Sequence, residues 1–385
     1  MKGNQARIYL SNLEYNIRQI KNTVGAAKLC VSVKANAYGH GDIIIARKAV
    51  ESGADYLAVS SPAEGRRLRE AGIKEPVLLF GLSVPETISE TVAYNLTPFV
   101  CDTEYIDALN VSAGNYARLK KDGRPVSERG FPVHLKVDTG MGRIGCRPEN
   151  AADLAAHINR CSNLYLAGMC THLCVSDSLE PADIDYTQKQ ILRFKESIEA
   201  VKKAGIEPGL CHCSASGGIL MYPDAVFDMV RTGILIYGYF PSDQVKNAKK
   251  SFDLKPVMEL CASVVSIKTV EKGESISYGR TWTAPKKTRI ATIGIGYGDG
   301  LPRRLCPGLH VNIRGKNYPV VGRICMDQCM ADIGLEDDIR RWDDAYIFGP
   351  QKNCCGADNL AEIAGTISYE ILTGISARVP RIIVP

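Results

Sequence analysis

The stretch Val33-Lys34-Ala35-Asn36-Ala37-Tyr38-Gly39-His40-Gly41 places a lysine where a buried strand gives way to a turn. The apolar run Leu29–Val33 before the lysine predicts that strand, and a helical pattern starts at Asp42. A charged amine at the end of a buried strand costs free energy unless it is paired or used. It is used chemically as a base with a lowered pKa or as the imine-forming partner of a carbonyl cofactor. A lysine that only reaches solvent is the plainer alternative.

Short apolar runs alternate with helical patterns along the first 240 residues. Segments such as Asp42–Ser52, Pro62–Ala71 and Ile184–Ala204 carry the helical patterns. The alternation predicts a parallel sheet, and eight such units over about 210 residues fit a closed (β/α)8 barrel. An open doubly wound sheet is the alternative, but no GxGxxG fingerprint follows the first strand. The predicted strands are Leu29–Val33, Tyr56–Val59, Val77–Phe80, Pro98–Cys101, Val133–Val137, Leu164–Met169, Leu210–Cys213 and Met229–Arg231.

Beyond the barrel the pattern changes to period two with glycine turns, which predicts a mainly antiparallel β-domain. We therefore predict an α/β protein with an N-terminal TIM barrel over residues 1–240 and a C-terminal β-rich domain over residues 241–385. Residues 1–12 begin with a strand that is a candidate to join the C-terminal domain. Ser242–Lys255 is predicted to be a linker, and one helix is predicted at about Leu360–Ala364. The predicted C-terminal strands are Cys261–Thr269, Arg289–Ile295, Val311–Ile313, Tyr318–Arg323 and Ala345–Phe348.

The composition is that of an ordinary globular protein, with 45% hydrophobic and 23% charged residues among 385 and a net charge of +5. The basic residues form no block, which argues against nucleic-acid binding. No run of about 18 apolar residues occurs, and the first residues lack the apolar core of a signal peptide. We therefore expect no membrane association and a cytoplasmic location, where the 14 cysteines would be reduced.

Two patterns of cysteine and histidine raise the alternative of a zinc site. Cys170, His172 and Cys174 would share one face of a strand, and Cys211-His212-Cys213 is a second cluster. Neither pattern has CxxC or HExxH spacing. We therefore predict no metal.

Polar side chains stand at the carboxyl ends of several predicted strands, which is where function lies in a barrel of this kind. Lys34, Lys136, His172 and Arg231 occupy such ends. The loop Ser214–Gly218 after the seventh strand offers hydroxyls and free backbone N–H groups, as a phosphate cradle does. A lysine at the first strand together with this cradle fits a phosphorylated aldehyde cofactor held at both ends.

The stretch Lys34–Gly41 resembles the cofactor-lysine motif of the alanine racemases, barrel-type enzymes that depend on pyridoxal 5′-phosphate (PLP). Further stretches resemble motifs of the same family in order along the chain, from residue 34 to residue 381. The resemblance implies a homodimeric isomerase that interconverts L- and D-alanine and supplies D-alanine for cell-wall peptidoglycan. The matching stretches are His134–Gly145, Thr171-His172, Met229–Ile234, Tyr237-Gly238, Ser277–Arg280, Ile295–Gly300, Val321–Gln328 and Gly365–Glu370.

The resemblance also implies a role for each matching residue. Lys34 would bind the PLP aldehyde as an imine and then act as the base on one face of the substrate Cα. Tyr278, from the second subunit, would act on the opposite face in a two-base mechanism. Lys136 matches a lysine that is often carbamylated, where the new anion would orient Arg143; an ordinary pair with Asp138 is the alternative. The implied cofactor contacts are Lys34, Tyr38, His172, Ser216, Arg231, Gly233, Ile234 and Tyr369, and the implied substrate contacts are Arg143, Met326 and Asp327.

Arg231 carries a physical argument as well. The resemblance implies that Arg231 meets the ring nitrogen of PLP, and a guanidinium keeps its proton, so it can only donate there. The ring nitrogen then stays unprotonated, which makes the cofactor a weaker electron sink and restrains side reactions. A plain salt-bridge arginine at the end of a strand is the alternative.

The chain also departs from the family pattern. Ala215 stands where the family usually has asparagine, and Leu173–Ser176 follows His172 in place of a sequence that begins Phe-Ala. Tyr369 is expected to crowd the pocket and to favour alanine over serine. The alternatives are a serine or broad-specificity racemase, a non-catalytic PLP-binding regulator and a zinc-assisted PLP lyase.

Overall fold

A computed structural model describes residues 3–119, 129–335 and 338–385 of the chain. Strand β1 (Gln5–Tyr9) belongs to a second sheet, and the next eight strands form a parallel barrel. From β2 to β8 each barrel strand pairs with the next one along the chain, and β9 pairs with β2, which confirms the predicted (β/α)8 fold. The barrel strands are β2 (Lys28–Ser32), β3 (Tyr56–Val59), β4 (Val77–Leu79), β5 (Leu96–Val100), β6 (Phe131–Lys136), β7 (Leu164–Cys170), β8 (Leu210–His212) and β9 (Met229–Thr232).

The barrel closes at two seams. β2 and β9, the first and last barrel strands, pair in parallel over Lys28–Val31. Between β8 and β9 the backbone N–H of Asp228 donates to the Cys211 carbonyl at 3.0 Å. The N–H of Arg231 likewise donates to the Ser214 carbonyl at 2.9 Å. The carboxyl ends of all these strands therefore surround one opening.

The amphipathic helices on the outside of the barrel pack against it with an apolar face, as the seventh helix shows. The seventh of them, Ala151–Arg160, buries Ala151, Leu154, Ala155 and Ile158, the spacing that one face of a helix requires. None of the described helices is both long and apolar enough to span a bilayer. The helices are α1 (Leu10–Val24), α2 (Lys34–Tyr38), α3 (Asp42–Glu51), α4 (Pro62–Glu70), α5 (Pro85–Ala93), α6 (Thr103–Leu119), α7 (Ala151–Arg160), α8 (Pro181–Lys203), α9 (Ser216–Met221), α10 (Asp243–Ala248), α11 (Ala357–Ala364) and α12 (Ser368–Gly374).

The second sheet is mainly antiparallel, as the period-two pattern predicts. The remaining strands are β10 (Met258–Val270), β11 (Ser275–Ile276), β12 (Trp282–Thr283), β13 (Thr288–Ile293), β14 (His310–Ile313), β15 (Lys316–Val321), β16 (Cys329–Gly334), β17 (Asp344–Phe348) and β18 (Arg381–Val384). The sheet order is β13-β16-β15-β14-β17-β10-β1-β18, and β10 also pairs with β13. β11 and β12 form a separate two-stranded hairpin.

The N-terminal strand lies in this second sheet. β1 pairs antiparallel with β10 and parallel with β18. The Arg7 side chain on β1 donates to the carboxylates of Glu259 and Asp344, both at 3.0 Å. The chain then enters the barrel through α1, so its two ends are held together beside the barrel.

Several local elements differ from the sequence-based prediction, among them β11, β12 and β18, which were not predicted as strands. The linker Ser242–Lys255 contains α10, whose start the Ser242 hydroxyl caps by accepting from the Val245 N–H at 3.2 Å. Strand β16 was not predicted from its sequence. In the structure it is defined by its pairing with β13 on one side and β15 on the other. Helix α12 was also not predicted, because seven residues are too few for a clear helical period.

The inside of the barrel has an apolar side and a polar side. Cys30, Ala58, Leu78, Phe99 and Met229 belong to one apolar cluster. On the other side β6, β8 and β9 carry buried polar side chains, namely His134, Lys136, His212 and Arg231. The polar side positions the candidate site described next.

Candidate active site

A cavity of about 720 Å³ opens at the carboxyl ends of the barrel strands. Its walls come from the loops after most of the strands and from helix α12. Nine residues singled out in the sequence line it, although the segments that carry them are far apart in the chain. They are Lys34, Tyr38, Lys136, Arg143, His172, Ser216, Arg231, Gly233 and Tyr369.

Lys34 stands at the start of a left-handed turn. The four residues after it, Ala35–Tyr38, have φ values between 51° and 54°, a conformation that costs a non-glycine residue roughly 1–2 kcal/mol. The turn is held by hydrogen bonds from the Ala35 N–H to Glu64 Oε1 at 2.7 Å and from the Asp42 N–H to Asn36 Oδ1 at 3.0 Å. The turn ends at Gly39, where a Cβ would lie 2.2 Å from the Leu372 carbonyl oxygen.

The environment of Lys34 favours the neutral amine. Partial burial lowers the pKa of the Lys34 ammonium, and the positive charge of Arg143 lowers it further. The Glu64 carboxylate acts in the opposite direction. The lowered pKa makes Lys34 better suited than an exposed lysine to act as a nucleophile or a base.

The loops after β8 and β9, the seventh and eighth barrel strands, form a small polar cradle. The Gly233 N–H lies 3.4 Å from the Ser216 hydroxyl, and a Cβ at Gly233 would come within 2.6 Å of the Tyr38 hydroxyl. The Tyr369 ring lies 5.8 Å from the Tyr38 ring, and burial raises the pKa of both phenols. Ile234 is fully buried directly after Gly233. The cradle offers hydroxyls and backbone N–H groups, the ligands that phosphate takes.

Arg231 is held rigidly from the floor of the cavity. Its guanidinium donates to the carbonyls of Thr171 at 2.8 Å and Cys213 at 2.9 Å. It also donates to Nδ1 of His172 at 3.3 Å, because a guanidinium cannot accept. Burial and then the Arg231 charge lower the pKa of His172 well below its ordinary value. No carboxylate pairs with Arg231 among the residues described, so the salt-bridge alternative does not hold there.

Lys136 is nearly fully buried, with 4% of its surface exposed. Burial lowers the pKa of its amine to about 8. Its Nζ donates to the Val137 carbonyl at 3.3 Å. Asp138 instead accepts from the backbone N–H groups of Gly140 at 2.9 Å and Gly142 at 3.0 Å. In the described parts of the chain no carboxylate lies within ion-pair distance of Lys136.

Three predicted site residues lie away from the cavity, in loops of the C-terminal segment: Tyr278 lies between β11 and β12, and Met326 and Asp327 lie between β15 and β16. Tyr278 is 71% exposed and Met326 is 53% exposed. The Asp327 carboxylate pairs with Arg378 at 2.8 Å. The structure therefore does not bring these three residues to Lys34 within one chain.

Two family models match the chain over the segments that form these two sheets. The alanine racemase N-terminal domain matches residues 8–241, and the alanine racemase C-terminal domain matches residues 257–383. The chain belongs to the alanine racemase family. Its members are isomerases, so the chain belongs to a family of enzymes.

Relatives along the full length agree with this assignment. An alanine racemase of Treponema denticola is 49% identical over 390 residues, which cover 100% of this chain and 99% of the relative. One of Treponema pallidum is 40% identical over 99% of both chains. The solved structure of the Clostridium difficile alanine racemase superposes with a TM-score of 0.91 at 36% identity, covering 99% of this chain and 96% of that one. That of Bacillus anthracis with bound L-Ala-P has a TM-score of 0.88 at 33% identity, covering 100% and 96%.

In this member of the alanine racemase family, sequence reasoning missed several polar residues at the cavity. Asp177 lines it, and burial raises the pKa of the Asp177 carboxyl. Ser32 also lines it, and its buried hydroxyl has no partner among the described residues. His134 and His212 lie behind Arg231 and are fully buried. From the sequence, His212 was considered only as part of a possible zinc cluster, and the inward alternation on β6 and β8 is the signal that places both histidines inside the barrel.

The two cysteine and histidine patterns do not form a metal site. In the described parts of the chain, neither brings three ligand atoms together. The group that does is Asp107, His157 and Cys161 on the outside of the barrel, whose ligand atoms lie within 4.8 Å of one another. There His157 Nε2 and Asp107 Oδ1 form a hydrogen bond of 2.7 Å.

Proposed function

We propose that this protein interconverts L-alanine and D-alanine with PLP as its cofactor. The observation that carries the proposal is one cavity containing a lysine of lowered pKa, a donor-only arginine and a Ser216–Gly233 cradle. Full-length relatives are alanine racemases, which supports alanine as the substrate. We further propose a cytoplasmic enzyme whose D-alanine serves cell-wall peptidoglycan.

The cavity residues fit PLP at three points. Lys34 would hold the aldehyde carbon. The Arg231 Nε–H has no partner among the described residues and would donate to the ring nitrogen. Ser216, Gly233 and Ile234, with the hydroxyls of Tyr38 and Tyr369, would hold the phosphate, and His172 would support the ring through Arg231. When bound, the cofactor would withdraw electrons from the substrate Cα and make its proton acidic.

Two bases on opposite faces of Cα account for inversion. We propose that Lys34 Nζ exchanges the proton on one face and that Tyr278 Oη exchanges it on the other. Removal by one and return by the other converts one enantiomer into its mirror image, and reversal of the roles restores it. Because Arg231 can only donate, it would leave the ring nitrogen of a bound cofactor unprotonated, and the ring would then take up less of the negative charge that develops at Cα.

Tyr278 would come from a second copy of the chain. Its exposure of 71% and its position outside its own cavity support a homodimer with active sites at the interface. Met326 and Asp327 lie on the same surface and would accompany it, so that they contact the substrate carboxylate together with Arg143 of the opposite barrel. We retain residues 1–240 as the cofactor-binding domain and residues 241–385 as the domain that supplies Tyr278.

Lys136 is proposed to carry a carbamate. A pKa lowered to about 8 leaves a fraction of neutral amine at neutral pH. That amine can add to CO2 with release of one proton. The resulting anion would pair with Arg143. The Asp138 carboxylate would not compete for this arginine, because it already accepts hydrogen bonds from backbone N–H groups.

Proton exchange in D2O tests the proposal directly. The purified protein is incubated with PLP and L-alanine. Optical rotation is followed by polarimetry, and deuterium at Cα is followed by NMR. We expect loss of rotation with deuterium in both enantiomers. Bound PLP without exchange on alanine would remove the alanine assignment, and serine would then be tested in the same assay. Because the bulky Tyr369 lines the cavity, we expect serine, which is larger than alanine by a hydroxyl group, to react more slowly than alanine.

A further inference from the structure

A chain of buried hydrogen bonds runs from the cavity floor into the centre of the barrel. Arg231 donates through one terminal nitrogen to His212 Nδ1 at 2.5 Å. His212 Nε2 lies 2.8 Å from His134 Nδ1. The exposed fraction is 6% for Arg231, 0% for His212 and 1% for His134, so water does not compete for these contacts.

The direction of each hydrogen bond follows from the arginine. A guanidinium only donates, so His212 Nδ1 carries no proton. Burial and the Arg231 charge lower the pKa of His212 well below its ordinary value, and burial lowers the pKa of His134 to about 3. Both rings are therefore neutral. The His212 proton must then sit on Nε2 and be donated to His134 Nδ1, which in turn places the His134 proton on its far nitrogen.

His134 is not part of the cavity that contains Lys34. Pro132 and Lys136 lie two positions before and after His134 along β6, so all three side chains face the inside of the barrel. His134 lines a separate cavity at the amino ends of the strands, beside Pro132 and Tyr56. Water in that cavity can accept the proton on its far nitrogen. His134 therefore contacts neither substrate nor cofactor and acts only through His212.

We propose that His134 is a positioning residue that holds His212 in the Nε2–H tautomer and thereby fixes the Arg231 guanidinium, with its Nε–H directed into the cavity. This inference rests on the proposed function, in which that N–H meets the cofactor ring. Without an acceptor at His134, the buried Nε2–H of His212 would lack a partner, which removes part of the advantage of that tautomer and lets the Nδ1–H tautomer compete. Two donors would then face each other at the Arg231 contact, and the guanidinium would have to move.

The experiment combines nitrogen NMR with kinetics on the holoenzyme. The chain has six histidines, so ¹⁵N-histidine labelling gives few signals, and the His134 variants assign the pair. The variants are His134→Leu, which removes the acceptor, and His134→Asn, whose side-chain oxygen occupies the place of Nδ1. Leu78→Ala makes a void in the apolar side of the same barrel and is the control for packing loss.

We expect wild-type His212 to show an unprotonated Nδ1 and a protonated Nε2. His134→Leu should change that pattern and lower kcat roughly 10- to 100-fold, the order expected when a catalytic group is misplaced, with little change in KM. His134→Asn should restore both readouts, and Leu78→Ala should leave the His212 signals unchanged.

Three results overturn the inference. One is a wild-type His212 protonated on Nδ1, which needs no variant to be detected. Another is a His134→Leu protein with unchanged His212 signals and unchanged kcat. The third is a His134→Asn protein that is as impaired as His134→Leu, which would mean that only ring packing matters. Because the tautomer is read without turnover, it remains informative if alanine proves not to be the substrate.

Discussion

Lys34 and Tyr278, the two proposed bases, sit in contrasting parts of the molecule. Lys34 lines a cavity, whereas Tyr278 is 71% exposed. Yet both are next to left-handed backbone, since Ala35–Tyr38 follow Lys34 and Ser277, with φ 71°, precedes Tyr278. Such strain persists only where surrounding contacts hold it. The Ser277 hydroxyl donates to the Arg323 carbonyl at 2.7 Å, so the exposed turn is fixed as well.

The contrast divides the proposed site into a barrel half, which contains Lys34, and a β-domain half, which contains Tyr278. The barrel completes its own part of the site, with the lysine, the cradle and Arg231 in one chain. The β-domain exposes Tyr278 on its surface, and the proposed dimer would bring this side chain to the cavity of the opposite barrel. The predictions below separate these two halves.

The largest effect is expected for Lys34→Ala. The variant loses the attachment point for the cofactor aldehyde and one base, so we expect racemisation to fall by at least about 10⁴-fold. Racemisation is measured by optical rotation, with circular dichroism as the check on folding. Lys202→Ala, at an exposed lysine paired with Glu199, is the control and should be unaffected. Retained activity in Lys34→Ala would remove the lysine from the mechanism.

Tyr278→Phe is expected to lower racemisation by roughly 10²- to 10⁴-fold. The sharper test mixes this variant with Lys34→Ala after dissociation. If each site takes Lys34 from one chain and Tyr278 from the other, half of the random dimers regain one of two sites, and about one quarter of wild-type activity returns. No recovery after verified subunit exchange would mean that both bases belong to one chain.

Removal of CO2 tests the proposed carbamate on Lys136 in the barrel, and its expected effect is smaller than that of either substitution. We expect KM for alanine to rise roughly 5-fold when bicarbonate is removed, because Arg143 loses one charged partner. Since burial lowers the pKa of Lys136 to about 8, the neutral amine and hence the carbamate should increase between pH 6 and pH 8. A ¹³C-bicarbonate NMR signal detects the adduct. Lys136→Met should show neither the signal nor the bicarbonate response.

The smallest effect is expected for Glu64→Gln. The carboxylate favours the ammonium form of Lys34, so its neutralisation lowers the pKa of Lys34 further. Neutral lysine then persists to lower pH, and the acid limb of the kcat/KM profile should move to lower pH with at most about a 3-fold change in rate. Glu70→Gln on the same helix is the control. An acid limb that moves to higher pH would contradict the assigned role.

Much of the fold could be predicted from patterns of apolar residues that are close together in the sequence. The strand before Lys34 and the runs that became β3, β4 and β7 were predicted within a residue or two, because buried parallel strands are continuous apolar runs. The separate positions of Lys34, Ser216 and Arg231 at strand ends were enough to predict one polar opening. The resemblance to the family added Tyr278, which no barrel pattern indicates.

The sequence by itself determined the alternation of elements and the chemistry at the strand ends, because both depend on residues close together in the chain. Only the tertiary structure decided the left-handed turn at Ala35–Tyr38, which Glu64 holds from another helix. It also decided the His134–His212–Arg231 chain, whose first two members are 78 residues apart, and the exposure of Tyr278. These features arise from contacts between distant segments, and no local pattern encodes a contact whose partner lies elsewhere in the chain.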